Sequence, residues 1–200
     1  MRAPIHDFHL SNLLTYGALA AGTGAIVLAS DSRSRAFAAA ALGVAAIADT
    51  FDGRFARFFR RTPRQAHCGR ALDSLVDAVA FGAAPVAVVF SAVPHDTGWP
   101  LFAWWGAAVL YVGATVTRLA FYDVEGDDTH FVGLPTPAAA LLCATALLIP
   151  TSTFAPSWPL IVAGLAMVAP VGFPRPRGAG LAAFVCWAVA VVWLHSARAL

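Results

Sequence analysis

Long apolar runs, separated by short polar breaks, dominate the chain. Seven of these runs approach the roughly 20 residues that an α-helix needs to cross the hydrocarbon core of a bilayer. The breaks leave no room for a separate soluble domain. The pattern therefore predicts an all-α protein, a polytopic transmembrane helical bundle that forms one domain over residues 1–200. The predicted segments are Leu10–Ala29, Ala36–Phe59, Ala71–Ala92, Leu101–Tyr122, Gly133–Pro150, Ser157–Phe173 and Gly180–His195.

Composition supports a membrane protein. The chain is 59% hydrophobic and 12% charged, with a mean hydropathy of +0.70, whereas charged residues make up about 25% of an ordinary soluble domain. The first apolar run lacks a basic n-region and a clear cleavage site, so we expect no removable signal peptide. The net charge of +2 is too small to favour a nucleic-acid partner.

The distribution of arginine predicts how the chain is oriented in the membrane. Arginine is the relevant residue because the chain contains no lysine. Most arginines fall before the first predicted helix and in the second and sixth loops, and the positive-inside rule places these regions in the cytoplasm. We therefore expect a multi-pass protein of a bacterial inner membrane. The arginines on the cytoplasmic side are Arg2, Arg57, Arg60, Arg61, Arg64, Arg70, Arg175 and Arg177, against Arg33, Arg35 and Arg198 on the other side.

Four aspartates lie where the second predicted helix ends and the third begins, and they face the cytoplasm in this topology. The sequence reads D-T-F-D-G-R-F-A-R, then eleven residues, then G-R-A-L-D-S-L-V-D. At about 100° per residue, each helix presents its aspartates and its small residues within an arc of about 100° or less. The two faces consist of Asp49, Asp52, Gly53 and Ala56 on one helix and Gly69, Asp73 and Asp77 on the other.

Carboxylates held this close together repel one another, and a divalent cation would relieve the repulsion. Ligation by oxygen alone favours Mg²⁺ or Mn²⁺, with Ca²⁺ less favoured. The three cysteines and six histidines show no metal-binding spacing. The small residues leave room for a planar base or a diphosphate against the backbone. The alternative interpretation, solvated helix ends or salt bridges to Arg57 or Arg70, stays open, but it accounts less well for four aspartates in this phase.

This signature resembles that of the CDP-alcohol phosphotransferase family, D-x-x-D-G-x-x-A-R followed by G-x-x-x-D-x-x-x-D. The resemblance implies a six-helix core, here with about one additional C-terminal helix, and usually a homodimer. It also implies that the aspartates bind one or two divalent ions together with the diphosphate of a CDP-linked donor. An acceptor alcohol then attacks the phosphorus and CMP leaves.

Within that family, three further segments are similar to the phosphatidylserine synthases. They are S-N-L-L-T-Y-G from Ser11, A-V-A-F-G-A-A-P ending at Pro85, and G-L-P-T-P-A-A-A from Gly133. The resemblance implies transfer of a phosphatidyl group from CDP-diacylglycerol, in the lipid bilayer, to the hydroxyl of L-serine.

The resemblance also assigns roles to residues. Asp77 is expected to be the general base, and Asp49, Asp52, Asp73 and Asp77 are expected to be metal ligands. Arg118 is a candidate for binding the acceptor, and Asn12 either caps the first helix or contacts the nucleotide. The residues expected to bind the nucleotide and diphosphate are Asn12, Asp49, Asp52, Gly53, Ala56, Arg57, Gly69 and Asp73.

One departure concerns the acceptor. The synthases commonly have R-L-A-R-F-N at the end of the fourth helix, whereas this chain has R-L-A-F-Y-D, with Phe121 in place of the second arginine. Other acceptors therefore stay open, namely glycerol 3-phosphate, an inositol compound or choline. A hypothesis from a different class is a small ion or proton transporter, but a transporter has no need of small residues on the aspartate faces.

Overall fold

The computed structural model describes residues 8–92, 101–125, 130–149, 157–174 and 177–199. Helices account for most of this part of the chain, so the predicted all-α class is confirmed. They are α1 (Leu13–Ala29), α2 (Arg35–Ala56), α3 (Pro63–Asp77), α4 (Ala84–Ala92), α5 (Leu101–Glu125), α6 (Thr136–Ala146), α7 (Trp158–Val168) and α8 (Ala179–Ala199), with a 3₁₀ turn at Leu10–Asn12 and a π-helical turn at Ala78–Ala83.

Within the described residues, five helical segments are long and apolar enough to cross a membrane, and the chain is a multi-pass membrane protein. They are Leu10–Ala29, Arg35–Ala56, Pro63–Ser91, Leu101–Val124 and Ala179–Ala199. The third of these joins α3, the π-helical turn and α4 into one continuous segment. Helices α6 and α7 have 11 residues each, so the fifth and sixth predicted segments were drawn too long.

The third helix begins earlier than its apolar sequence suggests. We predicted a start at Ala71, but α3 begins at Pro63. Thr62 accepts a hydrogen bond from the backbone N–H of Gln65, and the Gln65 side chain accepts one from the Thr62 backbone N–H. This capping box stabilises a polar first turn that hydropathy alone does not reveal. As a result, Asp73 lies well inside α3 instead of in a first turn, and Asp77 is the last residue of α3, where the helix continues into the π-helical turn.

Small residues allow the helices to approach closely. The core contains many fully buried alanines, which join α1, α2, the π-helical turn, α6 and α8 in one cluster. A Cβ added at Gly22 of α1 would lie 2.5 Å from Cα of Ala80, and one added at Gly43 of α2 would lie 3.0 Å from the carbonyl oxygen of Ala188 on α8. Close backbone contact of this kind is how helices pack where lipid removes the hydrophobic driving force.

A short two-stranded ribbon, which the sequence analysis did not predict, lies beside the helices. Strand β1 (His130–Val132) pairs antiparallel with β2 (Gly172–Pro174). Gly133 follows β1 with φ of +75°, and any side chain there would collide with the carbonyl oxygen of Met167. Only glycine accommodates both constraints. The ribbon thus brings the chain that follows α7 beside the chain that leads into α6.

Candidate active site

The four aspartates of the signature come together where the end of α2 meets the second half of α3. One carboxylate oxygen from each of Asp49, Asp52 and Asp73 lies within 4.8 Å of the others. The carboxylate of Asp77 lies beside them, and its charge interacts with those of Asp49, Asp52 and Asp73. The two helices therefore present their aspartates to one another.

This donor set fits a divalent metal ion. Oδ1 of Asp77 is buried and meets no hydrogen-bond donor among the described residues. A buried carboxylate oxygen that faces another carboxylate is costly unless a cation or a proton lies between them. Because the donors are all carboxylate oxygens, a hard divalent ion is the appropriate partner. Asp49, Asp52 and Asp73 can hold such an ion, with Asp77 beside them.

Two buried threonines from other helices orient the carboxylates. Thr15 of α1 donates its hydroxyl to Oδ2 of Asp52 at 3.1 Å. Thr136, the first residue of α6, donates its hydroxyl to Oδ2 of Asp77 at 3.3 Å. Neither threonine is among the residues predicted from the sequence, although Thr15 lies in the segment S-N-L-L-T-Y-G and Thr136 in the segment G-L-P-T-P-A-A-A. Only the fold shows that these hydroxyls reach the site, because each lies far along the chain from its aspartate.

A cavity of about 840 Å³ lies in front of the carboxylates. Its wall includes all four aspartates, several arginines, and an apolar side to which the last helix contributes. Carboxylates can hold a cation, and guanidinium groups can pair with phosphate oxygens, while apolar side chains can cover hydrocarbon. The cavity therefore suits an amphiphilic phosphate compound. The arginines are Arg54, Arg57, Arg70 and Arg118, and the apolar side includes Leu119, Leu181 and Phe184.

Arg118 is a buried cation in this wall. It is 8% exposed, and its charge interacts with that of Asp77. Its guanidinium carbon lies 4.6 Å from the ring centroid of Tyr122. The Tyr122 hydroxyl donates to the backbone carbonyl of Val132 at 3.0 Å and accepts from the backbone N–H of the same residue. The first strand of the ribbon thus fixes the ring against which Arg118 stacks.

Phe121, the departure from the synthase motif, lies away from the cavity. Its side chain is 46% exposed and packs edge-on against Tyr122. Helical geometry explains the difference, because Arg118, Leu119 and Tyr122 share the cavity-facing side of α5 while position 121 does not. The side chain of an arginine at position 121 would therefore project from the face of α5 that points away from the cavity.

The small residues of the signature differ in their surroundings. A Cβ added at Gly53 would meet no atom within 4 Å, and Gly53 lines the cavity. Gly69 instead packs against Asn12, whose Oδ1 would lie 3.1 Å from an added Cβ. Ala56 is buried in the core. Of the three positions expected to leave room for a ligand, only Gly53 opens onto the cavity.

Asn12 and Arg57, both expected to bind the nucleotide or diphosphate, differ in their position relative to the cavity. Asn12 is 5% exposed, and its side-chain oxygen accepts a hydrogen bond from Ser11. It stands at the N-cap of α1, but its side chain makes no capping hydrogen bond within the described residues. Arg57 immediately follows α2 and lines the cavity. Arg57 can thus reach a ligand directly, whereas Asn12 packs against Gly69 of α3.

A protein-family model and several known proteins match the chain. Residues 8–192 match the family model for CDP-alcohol phosphatidyltransferase. The chain is 36% identical over 140 residues to CDP-diacylglycerol–serine O-phosphatidyltransferase of Mycobacterium tuberculosis, covering 66% of this chain and 46% of that protein. It is 34% identical over 152 residues to the enzyme of the same name from Helicobacter pylori strain J99, covering 73% and 60%.

An archaeal relative is similar at lower identity. The chain is 28% identical over 139 residues to archaetidylserine synthase of Methanothermobacter thermautotrophicus, covering 68% of this chain and 58% of that protein. The chain spans about half the length of the curated relatives it matches.

Proposed function

The chain belongs to the CDP-alcohol phosphatidyltransferase family, and on that premise we propose that it transfers a phosphatidyl group from CDP-diacylglycerol to the hydroxyl of L-serine and releases CMP. The observation that carries the proposal is the cluster of four carboxylates facing a cavity with arginines and an apolar side. The choice of L-serine is supported by the names of the relatives from Mycobacterium tuberculosis and Helicobacter pylori.

The donor is amphiphilic, and the cavity offers a partner for each of its parts. Arg54, Arg57 and Arg70 line the wall near the aspartates and pair with diphosphate oxygens. Gly53 leaves its side of the cavity open, so the cytidine can approach the backbone there. The apolar side formed with the last helix meets the glycerol and acyl part of the donor.

Asp49, Asp52 and Asp73 hold the divalent ion, which we propose to be Mg²⁺ or Mn²⁺. When bound, such an ion neutralises the charge that builds up on the diphosphate oxygens during transfer. Thr15 keeps the carboxylate of Asp52 turned toward this site through its hydrogen bond of 3.1 Å.

Asp77 acts as the general base. Its carboxylate takes the proton of the serine hydroxyl, and the freed oxygen attacks the phosphorus that carries the diacylglycerol. The bond from this phosphorus to the oxygen of the CMP phosphate breaks, and CMP leaves with the electron pair. Thr136 orients the base from α6. Arg118 receives the serine carboxylate in a bidentate ion pair, which places the hydroxyl toward Asp77.

We further propose that the site faces the cytoplasm of a bacterium, from the inner membrane, and that the protein is a homodimer. The arginine distribution supports this orientation. Labelling of Cys68 on α3, which is partly exposed, tests this orientation. A membrane-impermeant maleimide should label Cys68 in inverted vesicles and not in intact spheroplasts, and the opposite pattern would reverse the orientation.

The test of the reaction is CMP release by the purified protein from CDP-diacylglycerol with Mg²⁺ or Mn²⁺. L-serine, glycerol 3-phosphate, inositol compounds and choline are supplied separately, with and without a chelator. The proposal expects release that depends on L-serine and stops on chelation, and it expects none from Asp77→Asn. Release with another acceptor alone would contradict serine as the acceptor. Activity in Asp77→Asn would contradict the base assignment.

A further inference from the structure

The segment between Asp77 and Pro85 carries sequence similarity, but the reaction described above gives it no role. It follows the proposed base directly and forms the π-helical turn Ala78–Ala83. Turns of this kind are rare and are frequently found at functional sites. Pro85 favours a departure from α-helical geometry at this point, because it has no N–H to donate to the carbonyl of Phe81 four residues earlier and its ring would clash with that carbonyl in a regular α-helix.

Tyr111 of α5 supplies a hydrogen-bond donor to the carbonyl that receives none from Pro85. Its hydroxyl donates to the carbonyl oxygen of Phe81 at 2.9 Å, and Tyr111 is fully buried. One turn further along α5, Thr115 donates to the carbonyl of Tyr111, and its methyl group would lie 3.3 Å from a Cβ at Gly82. Helix α5 therefore holds the π-helical turn through a hydrogen bond and a close contact.

Helix α1 holds the same turn from another side. Gly22 lies so close to Ala80 that an added Cβ would be 2.5 Å from Cα and 2.7 Å from Cβ of that residue. The turn is thus fixed by two neighbouring helices. Asp77 stands at its first boundary, so the position of the turn sets the position of the base relative to Asp49 on α2.

We propose that Tyr111, together with Pro85, is a positioning element for the base Asp77: it fixes the π-helical turn and thereby holds the carboxylate where the acceptor hydroxyl can reach it. This proposal rests on the proposed function for its kinetic consequence. Its structural content, the placement of Asp77 against Asp49, can be measured without activity.

The kinetic test compares Tyr111→Phe with a matched control. His195 of α8 donates from its ring to the carbonyl of Ala144 at 2.9 Å, so His195→Phe removes a buried bond of the same length away from the cavity. We expect Tyr111→Phe to lower kcat about tenfold, equivalent to about 1.4 kcal/mol in activation free energy, with the KM for serine unchanged. His195→Phe should lower Tm comparably and leave kcat unchanged. An equal fall of kcat in both variants, or none in Tyr111→Phe, would overturn the proposal.

Pro85→Ala separates positioning from stability. The substitution restores an N–H for the carbonyl of Phe81 and removes the ring clash, so an ordinary α-helix becomes possible. We expect Tm to stay the same or rise while kcat falls about tenfold. A purely structural role for the turn predicts that Tm and kcat change in the same direction, and that result would contradict the proposal.

A third measurement is independent of the reaction. In a background in which Cys68 and Cys186 are replaced by serine and the fully buried Cys143 is kept, the pair Asp49→Cys and Asp77→Cys reports the approach of these two positions through the rate of disulfide formation under mild oxidation. Adding Tyr111→Phe should slow this rate several-fold, and adding His195→Phe should not. An unchanged rate would overturn the positioning role. If the wild-type protein released no CMP, the proposed function would fail while this measurement still decided the inference.

Discussion

Replacement of Thr136 by valine tests how the base is oriented. Thr136 is 1% exposed, and its hydroxyl donates to Oδ2 of Asp77 at 3.3 Å. Valine has nearly the same shape but no hydroxyl, so the packing at the start of α6 is preserved. Without the bond, the Asp77 carboxylate is free to rotate away from the acceptor.

The expected magnitude follows from this geometry. A hydrogen bond to a charged group contributes about 1.5–3 kcal/mol, and a separation of 3.3 Å exceeds the usual length of about 2.8 Å between oxygens. We therefore take the lower limit of this range, about 1.5 kcal/mol, for the hydrogen bond between Thr136 and Asp77. A loss of about 1.5 kcal/mol in the transition state corresponds to a fall in kcat of about tenfold. The KM for serine should not change, since Arg118 is untouched.

The assay is the initial rate of CMP release at saturating donor and metal, with serine varied. Thr136→Ser keeps the hydroxyl and is the matched control, so its kcat should stay within about twofold of wild type. A kcat for Thr136→Val close to that of the wild-type protein would refute the argument. So would an equal loss in both variants, because Thr136→Ser keeps the hydroxyl and a loss shared with it could not be assigned to the hydrogen bond to Asp77.

Three further predictions concern the metal, the acceptor and the packing. Asp52→Asn should raise the metal concentration for half-maximal activity by about 100-fold, measured by Mn²⁺ titration, and an unchanged requirement would remove Asp52 from the ligand set. Arg118→Lys should raise the KM for serine about tenfold, because lysine cannot form a bidentate pair, whereas Phe121→Ala should not. Equal effects of the two would contradict the outward position of Phe121. Gly22→Ala should cost about 2 kcal/mol of stability through overpacking, seen as a lower Tm in detergent, whereas Gly24→Ala should cost nothing, since no atom lies within 4 Å of its added Cβ. Equal values of Tm would argue against close packing there.

The helical phase of the aspartates could be predicted because it depends only on local geometry. Asp49 and Asp52 on one helix and Asp73 and Asp77 on the next face each other in the structure. This holds although the start of the third helix was placed eight residues too late, at Ala71 instead of Pro63, because helical phase does not depend on where a helix begins.

Contacts between distant segments could not be predicted in the same way. The hydroxyls of Thr15 and Thr136 reach their aspartates only through the packing of α1 and α6, and a single threonine has no signal in one sequence. Gly69 shows that a space predicted to be open can be filled by a distant residue. Its position on the aspartate face suggested open space, but Asn12 from the turn before α1 fills that space, and sequence spacing says nothing about such a neighbour.

The most direct test of the central claim is the incorporation of labelled L-serine into chloroform-soluble lipid by the purified protein. The reaction contains CDP-diacylglycerol and Mn²⁺, and wild type is compared with Asp77→Asn. The account predicts labelled phosphatidylserine and CMP in equal amounts from the wild-type protein, loss of both with a chelator, and neither from Asp77→Asn. Absence of label in lipid from a folded, metal-loaded wild-type protein would contradict it.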